Sequence, residues 1–145
     1  MDRTAMNQEQ SRPCEERARL EAAAREAASH AHAPYSGFRV GAAVLGASGT
    51  IHLGANVENA SYGLAICAER VALATARVAG ETELTAIAVA CIDAADETGP
   101  DGRMPCGACR QWIRELAPRA RIYIAGTDGS YAIDELLPNA FQLDP

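Results

Sequence analysis

Two stretches of the sequence decide the fold, AICAERVALATARVAG at residues 65–80 and MPCGACRQ at residues 104–111. Each opens a segment of helical composition, and each carries cysteine near its start. The first helical segment is followed by the apolar run ELTAIAVACI and the second by ARIYIAG. Continuous apolar runs of this length are typical of strands that are covered on both faces. A helix followed by a buried strand, twice over, predicts a sheet with helices packed against it.

Upstream of these stretches, FRVGAAVLG (38–46) and TIHLGANVE (50–58) predict two strands joined by a hairpin turn at ASG (47–49). Residues 15–31 are rich in Ala, Arg and Glu and predict a helix, and DELLPNAF (134–141) predicts a short helical piece. The resulting order, α-β-β-α-β-α-β, predicts an α/β fold with a mixed sheet and helices on its faces. We expect one domain over residues 1–145, with the polar, aperiodic residues 1–12 forming a loose tail.

The charge balance excludes several classes of partner. The chain has 13 basic and 19 acidic residues, a formal charge of −6. No basic excess is available to neutralise phosphates, which argues against nucleic acid and against an anionic membrane surface as partners. All 13 basic residues are Arg. The absence of Lys from the sequence excludes a Lys Schiff base and a Walker-type phosphate loop.

The apolar composition predicts a thin core. Alanine supplies 31 of the 145 residues, whereas Leu, Ile, Val and Phe together supply 26. Small domains with little large apolar volume are often completed by a metal or by neighbouring subunits. No run approaches the 18 or so apolar residues of a membrane span, and the N-terminal residues lack the apolar core of a signal peptide. We therefore expect a cytoplasmic protein.

Three of the five cysteines have the spacing of a metal site. Cys106 and Cys109 are three residues apart, so they share one helix face, and Cys67 lies at the other predicted helix start. A helix N-terminus favours the thiolate, which is the form that binds zinc. Three ligands leave a fourth position for water, the pattern of catalytic zinc, and zinc lowers the pKa of that water to about 7. A redox Cys-x-x-Cys pair and a purely structural zinc module are the alternatives.

A carboxylate and two guanidinium groups accompany these cysteines. Glu69 follows Cys67 by two residues, so in the irregular first turn of the helix its side chain can hold the zinc-bound water and move its protons. Arg70 and Arg110 adjoin the cysteine motifs and could offset the negative charge of three thiolates. The competing interpretation of each Arg is an ordinary surface or salt-bridging side chain.

With these residues, the chain resembles the cytidine deaminase family, and specifically its short, single-domain members that act on free nucleosides. The matching stretches occur in the family's order: APYSGFRVGAAV (33–44), GANVENASYGLAICAER (54–70), MPCGACRQ (104–111) and DELLPNAF (134–141). The resemblance implies a three-layer α/β/α fold and one zinc ion per chain on Cys67, Cys106 and Cys109. It implies hydrolytic deamination of cytidine and deoxycytidine to uridine and deoxyuridine with release of ammonia, a reaction of pyrimidine salvage. Glu69 would be the acid and base of that reaction.

The resemblance also implies a set of substrate contacts. Asn56 and Glu58 would bind a ribose hydroxyl, Phe38 would stack near the base, and the backbone of Ala68 would meet the pyrimidine O2. Single-domain members of the family are tetrameric, so we expect a homotetramer in which Phe141 reaches the active site of a neighbouring subunit. Tyr35 and Tyr62 match positions near the active site and the subunit contacts.

Some residues depart from the family pattern or carry no expected role. Gly37 replaces a residue that is often Lys or another polar residue, the loop before Cys106 is longer than usual, and the segment 127–138 is shorter. We expect structural roles for the other cysteines and for the histidines: Cys14, Cys91, His30, His32 and His52. The rival functions are an aminohydrolase for a cytosine-containing antibiotic of the blasticidin type, a non-catalytic zinc module, and nucleic-acid editing. The intact Asn-Val-Glu-Asn motif argues against the antibiotic aminohydrolase, and Glu69 argues against the non-catalytic zinc module. The acidic charge of the chain argues against nucleic-acid editing.

Overall fold

The computed structural model describes residues 3–144, with side chains described from residue 12 onward. It contains four α-helices and five β-strands in that range. The helices are α1 (Arg3–Ala28), α2 (Ala68–Val78), α3 (Gly107–Leu116) and α4 (Ile133–Leu136). The strands are β1 (Val40–Gly46), β2 (Ile51–Ala55), β3 (Leu84–Cys91), β4 (Arg121–Ile124) and β5 (Ser130–Tyr131). Two 3-10 turns, Tyr62–Leu64 and Pro100–Arg103, lie in the connections.

The first helix differs from its sequence prediction. It begins at Arg3 and continues through Pro13, so residues 3–12 are helical where a loose tail was expected. The prediction relied on apolar periodicity, which this segment lacks. Its Ala, Met, Gln, Glu and Arg residues nevertheless have high intrinsic helix propensity, and this extends the helix towards the N-terminus. Residues 1 and 2 lie outside the described residues.

The five strands form one mixed sheet in the order β2-β1-β3-β4-β5. The hairpin of β1 and β2 is antiparallel, β3 pairs antiparallel with β1 and parallel with β4, and β5 is antiparallel to β4. The predicted mixed sheet and the turn at residues 47–49 are confirmed. The two-residue strand β5 was not among the strands predicted from the sequence.

Helices cover both faces of the sheet, which confirms the three-layer α/β/α architecture. Alternate strand residues point to opposite faces, so Ala43 packs against α1 whereas Ala42 and Val44 pack against α2. The core between the sheet and α1 is lined mainly by alanine: Ala43, Ala86, Ala88 and Ala90 from the sheet and Ala24 from the helix. The core between the sheet and the helices α2 and α3 holds the larger side chains: Ile87, Val89, Ile122 and Ile124 from the sheet, Leu73 from α2 and Ile113 from α3. Within residues 3–144, no helix is both long enough and apolar enough to span a bilayer.

Two glycines allow the helices to approach the sheet closely. A Cβ at Gly54 would lie 2.4 Å from the carbonyl oxygen of Ala68 and 2.3 Å from the amide nitrogen of Ala72. The first turn of α2 therefore rests directly on β2, which fixes the position of the residues at its N-terminus. A Cβ at Gly41 would lie 1.9 Å from the carbonyl oxygen of Ala24 in α1, so the close packing that the small residues of this strand predict is confirmed.

Replacing Gly41 with Ala is expected to destabilise the fold by about 3 kcal/mol, because α1 must shift to admit the methyl group. Urea unfolding followed by circular dichroism measures this change. Gly99→Ala is the matched control, since Gly99 has φ −66° and no atom lies within 4 Å of its added Cβ. Equal unfolding midpoints for the two variants would contradict the close approach.

Candidate metal centre and active site

The three predicted cysteines meet at the N-termini of two helices. Cys67 is the last residue before α2, Cys106 is the last before α3, and Cys109 lies in the first turn of α3. The Sγ atoms are 3.8 Å apart for Cys67 and Cys106 and 3.6 Å apart for Cys106 and Cys109. All three sulfurs lie within 4.8 Å of one another. Among the described residues, this is the one group of three or more His, Cys, Asp or Glu side chains placed to hold a metal ion.

The sulfur geometry fits zinc. Tetrahedral coordination with Zn–S bonds of about 2.3 Å places sulfurs roughly 3.8 Å apart, close to the separations found here. A hydrogen bond from Cys109 lowers the pKa of Cys67 to about 5, with Arg70 contributing to the same shift. The same hydrogen bond, together with burial, raises the pKa of Cys109. At least one sulfur of the cluster is thus held as the thiolate that zinc requires.

The two arginines beside the cysteines have different surroundings. Arg70 places Nη2 3.7 Å from Cys67 Sγ and donates to the carbonyl oxygen of Ala65 at 3.3 Å, while its buried Nε has no partner among the described residues. Arg110 instead donates to the carbonyl oxygens of Pro105 and Leu136, at 2.8 and 2.7 Å. Arg70 is therefore placed to balance thiolate charge, whereas Arg110 braces the start of α3 against α4.

Glu69 lies in a pocket of about 190 Å³ beside the sulfurs. Glu69 is only 5% exposed. Burial raises the pKa of its carboxyl group to about 7, and the charge of Cys67 adds to the rise. A carboxyl group buried within a cleft that also carries thiolates is a typical setting for proton transfer. The predicted residues that line the same pocket are Phe38, Asn56, Cys67, Ala68 and Cys106.

Asn56 joins the pocket to the start of β1. Its Nδ2 donates to the carbonyl oxygen of Phe38 at 2.9 Å, and its Oδ1 accepts from the amide of Val40 at 2.8 Å. The amide retains one further donor and one further acceptor site. Asn56 therefore holds the backbone around Phe38 and still has the capacity to bind a hydroxyl group.

Glu58 lies in a second, more open pocket of about 320 Å³ with Tyr35 and Tyr62, whose ring centroids are 5.9 Å apart. Its Oε2 accepts from the amides of Tyr35 and Ser36 at 2.9 and 3.2 Å, and its Oε1 accepts from the Ser36 hydroxyl. These bonds, led by that of the Ser36 hydroxyl, lower the pKa of Glu58. The carboxylate is therefore ionised and can only accept hydrogen bonds.

A sequence model of the cytidine and deoxycytidylate deaminase zinc-binding region matches residues 14–125, which include the three cysteines and Glu69. The chain belongs to this family.

Several relatives within the deaminase family are closely similar to the chain. The cytidine deaminase of Halalkalibacterium halodurans is 46% identical over 120 residues, covering 80% of this chain and 86% of that protein. The crystal structure of cytidine deaminase from Burkholderia pseudomallei has a TM-score of 0.75 and 44% identity, and the match covers 84% of this chain and 96% of that one. For the Mycobacterium tuberculosis cytidine deaminase the TM-score is 0.73 at 37% identity, with 86% and 95% of the two chains covered.

Phe141 lies beyond the residues that the deaminase family model matches. Its residue is 69% exposed, and its carbonyl oxygen accepts from Gln111 Nε2 at 2.9 Å. It is not among the described residues that line the Glu69 pocket. Its side chain is thus exposed on the surface and does not line the Glu69 pocket of its own chain.

Six residues that line the Glu69 pocket were not predicted as site residues: Val40, Val89, Cys91, Gly102, Arg103 and Met104. Cys91 had been expected to have no role beyond structure, and burial, with the charge of Glu69, raises the pKa of its thiol to about 11. The two-residue repeat of a β-strand could have predicted the position of Cys91. Cys91 is two residues after Val89, and it therefore lies on the same face of the sheet, the face that packs against α2. Arg103 and Met104 lie at the end of an irregular loop. Their positions could not be predicted, because a loop has no regular spacing of side chains along the sequence.

The one buried histidine of the described residues belongs to a separate cluster. His52 is 9% exposed, and its Nε2 lies 3.2 Å from Oε1 of Glu81. The Ser48 hydroxyl donates to the same carboxylate oxygen. This arrangement ties the β1–β2 hairpin to the segment between α2 and β3, and it fits the structural role expected for His52.

Proposed function

We propose that this protein is a zinc-dependent cytidine deaminase that converts cytidine and deoxycytidine, with water, to uridine and deoxyuridine plus ammonia. The observation that carries the proposal is the burial of Glu69 in a pocket whose wall includes two of the three clustered cysteines, Cys67 and Cys106. Family membership supports the same reaction, as do relatives named cytidine deaminase that are up to 46% identical.

The chain's residues divide the work of this reaction. Cys67, Cys106 and Cys109 would hold the zinc, which supplies Lewis acidity that makes water a nucleophile near neutral pH. Glu69 takes one proton from the attacking water and gives it to N3 of the pyrimidine. It then takes the remaining proton from the hydroxyl formed on C4 and passes it to the amino group, which leaves C4 as ammonia while the C4 carbonyl forms. Arg70 moderates the negative charge of the sulfurs through its contact with Cys67.

Binding of the nucleoside is assigned to residues that line the Glu69 pocket, together with Glu58 from the second pocket. Phe38 stacks against the base, the backbone of Ala68 meets the pyrimidine O2, and Asn56 and Glu58 bind a sugar hydroxyl. The ionised Glu58 accepts a hydrogen bond from the sugar hydroxyl, and the remaining donor site of the Asn56 amide can donate a hydrogen bond to the oxygen of the same hydroxyl. A non-catalytic zinc module would have no use for a carboxyl group buried beside the sulfurs, such as that of Glu69, and its burial therefore favours the enzyme.

Free nucleosides are expected to be better substrates than nucleotides by about tenfold or more in kcat/KM, because Glu58 would repel a phosphate placed near it. Arg103 offers little compensation, since its guanidinium donates to the carbonyl oxygens of Thr98 and Ala95. Loss of absorbance on deamination, followed for cytidine, deoxycytidine, cytidine monophosphate and a cytosine antibiotic, measures the ratio. Faster turnover of the monophosphate or of the antibiotic would reject the nucleoside assignment.

We also propose that the enzyme is a homotetramer. Large apolar side chains are well exposed in the isolated chain, among them Tyr62 at 76%, Leu64 at 66% and Leu143 at 78%. Exposed apolar groups in such number are typical of surfaces that contact another protein. The thin alanine-rich core supports the same conclusion, because it leaves much of the apolar area to be covered by partners.

If Phe141 completes a neighbouring site, Phe141→Ala should raise KM for cytidine about tenfold, the cost of losing one aromatic contact, and leave zinc content unchanged. Val78→Ala is the control, since Val78 is similarly exposed, at 89%, and lies at the C-terminal end of α2. Light scattering should give a mass near four times 15.3 kDa for both variants. A fully active 15.3 kDa monomer would reject both the tetramer and the shared site.

A cytoplasmic location and a role in pyrimidine salvage complete the proposal. The five cysteines are free in the structure, and three of them form a cluster suited to zinc. Free thiols of this kind persist in a reducing compartment. The reaction returns uridine nucleosides, which salvage can reuse.

A further inference from the structure

The hydroxyl group of Ser36 forms hydrogen bonds with two residues of the proposed nucleoside site, Glu58 and Phe38. The Ser36 Oγ donates to Oε1 of Glu58, the residue assigned to the sugar, and accepts from the amide of Phe38 at 3.0 Å, the residue assigned to the base. The turn that carries Ser36 is closed by a hydrogen bond from the Gly37 amide to the carbonyl oxygen of Ala33 at 3.0 Å. Gly37 adopts φ +65°, a conformation that favours glycine.

The other bonds to Glu58 do not depend on a side chain. Its Oε2 accepts from two backbone amides, those of Tyr35 and Ser36, and any residue other than proline at position 36 would keep them. Among the described residues, the Ser36 hydroxyl is the one donor to Oε1. Because Ser36 is exposed, its hydroxyl is not needed to fill the core.

The Ser36 hydroxyl controls the direction of the acceptor site that remains free on the Glu58 carboxylate. An ionised carboxylate accepts about four hydrogen bonds, and three are already made by Tyr35 and Ser36. The remaining acceptor site therefore has a fixed direction relative to Phe38. Without the Ser36 hydroxyl, the Glu58 carboxylate can rotate while it keeps the two hydrogen bonds to Oε2. The remaining acceptor site then has no fixed direction relative to Phe38.

We infer that Ser36 is a positioning residue for the nucleoside sugar: its hydroxyl orients the Glu58 carboxylate and sets its distance from Phe38. The inference rests on the proposed function, and it adds a specificity-determining residue that does not itself contact the reacting atoms. Its effect falls on substrates that present a sugar hydroxyl, and the chemical step at C4 is unaffected.

The chain contains a matched control. Ser48 donates to Oε1 of Glu81 and accepts from the amide of Thr50 at 3.2 Å, the same pattern that Ser36 makes with Glu58 and Phe38. It lies in the turn beyond the far end of β1, whereas Phe38 precedes the start of that strand. Ser48→Ala therefore removes equivalent hydrogen bonds at a place away from the Glu69 pocket.

The experiment compares kcat and KM for cytidine and for 2′,3′-dideoxycytidine, which lacks the sugar hydroxyls at issue. Ser36→Ala should raise KM for cytidine about tenfold, as expected for losing the orientation of one charged hydrogen bond. It should leave kcat for cytidine and KM for the dideoxynucleoside unchanged. Ser36→Thr, which keeps the hydroxyl, should restore the cytidine KM, and Ser48→Ala should change neither constant.

A second arm uses Glu58→Ala as the background. Ser36→Ala should add no further loss there, because the side chain that it positions is already gone. Equal losses on both substrates, a fall in kcat alone, or additive losses with Glu58→Ala would overturn the inference. Zinc content and thermal unfolding of each variant establish that it is folded. Failure of the unmodified enzyme to deaminate cytidine would instead reject the proposed function.

Discussion

Glu69→Gln is expected to abolish cytidine turnover while leaving zinc and fold in place. The amide is nearly the same size as the carboxyl group but cannot exchange protons. General acid–base roles are worth about 10²–10⁴-fold each, and Glu69 is assigned more than one proton transfer, so the loss should reach at least the upper end of that range. Steady-state turnover, measured alongside zinc content on the same preparation, tests this result.

Glu115→Gln makes the same chemical change on the exposed surface of α3 and should retain full activity. If Glu69→Gln kept zinc and turned over cytidine within tenfold of the unmodified enzyme, proton transfer by Glu69 would be disproved. Loss of zinc together with activity would show instead that Glu69 acts by maintaining the metal centre.

Cys67→Ala is expected to remove the zinc and, with it, both activity and a large part of the stability. Structural zinc sites in small domains contribute apparent binding free energies of about 10–16 kcal/mol, so losing one of three protein ligands should leave little retained metal. Elemental analysis after dialysis and thermal unfolding measure the two effects. Cys14→Ala is the control, because Cys14 is exposed on α1 and should leave both quantities unchanged.

An unmodified protein that contains no zinc after purification without chelator would contradict the assignment of the metal. A Cys67→Ala protein that keeps one zinc per chain would contradict the choice of ligands. The two outcomes are distinct, because the first concerns the cluster as a whole and the second concerns Cys67 alone.

The metal centre was predictable because its parts obey local rules. The spacing of Cys106 and Cys109 places both on one helix face, and a cysteine just before a predicted helix, as at Cys67, will lie at an N-terminus. What brings the two N-termini together is the sheet topology, and the alternation of helices with buried strands already indicated it. The sequence therefore predicted the cluster without any knowledge of distances.

The details of the Glu69 pocket were not predictable in the same way. Asn56 bonds the backbone on both sides of residue 39, and this depends on how β1 and β2 pair, which spacing along the chain does not specify. Arg103 enters the pocket from an irregular loop in which neither the helical nor the strand period applies. Residues 3–12 were missed for a different reason, since their helix is determined by intrinsic propensity and the prediction relied on apolar periodicity.

The position of the cysteines on two separate helices has a consequence for chain entropy. Cys67 and Cys106 are 106 − 67 = 39 residues apart, and the segment between them contains α2 and β3. A zinc ion that bridges them closes this segment into a ring, as a disulfide would. In the chain-entropy treatment, closing a ring of that size disfavours the unfolded chain by roughly 4 kcal/mol. The ion at the catalytic pocket therefore also acts as a cross-link, and it compensates for a core built largely from alanine.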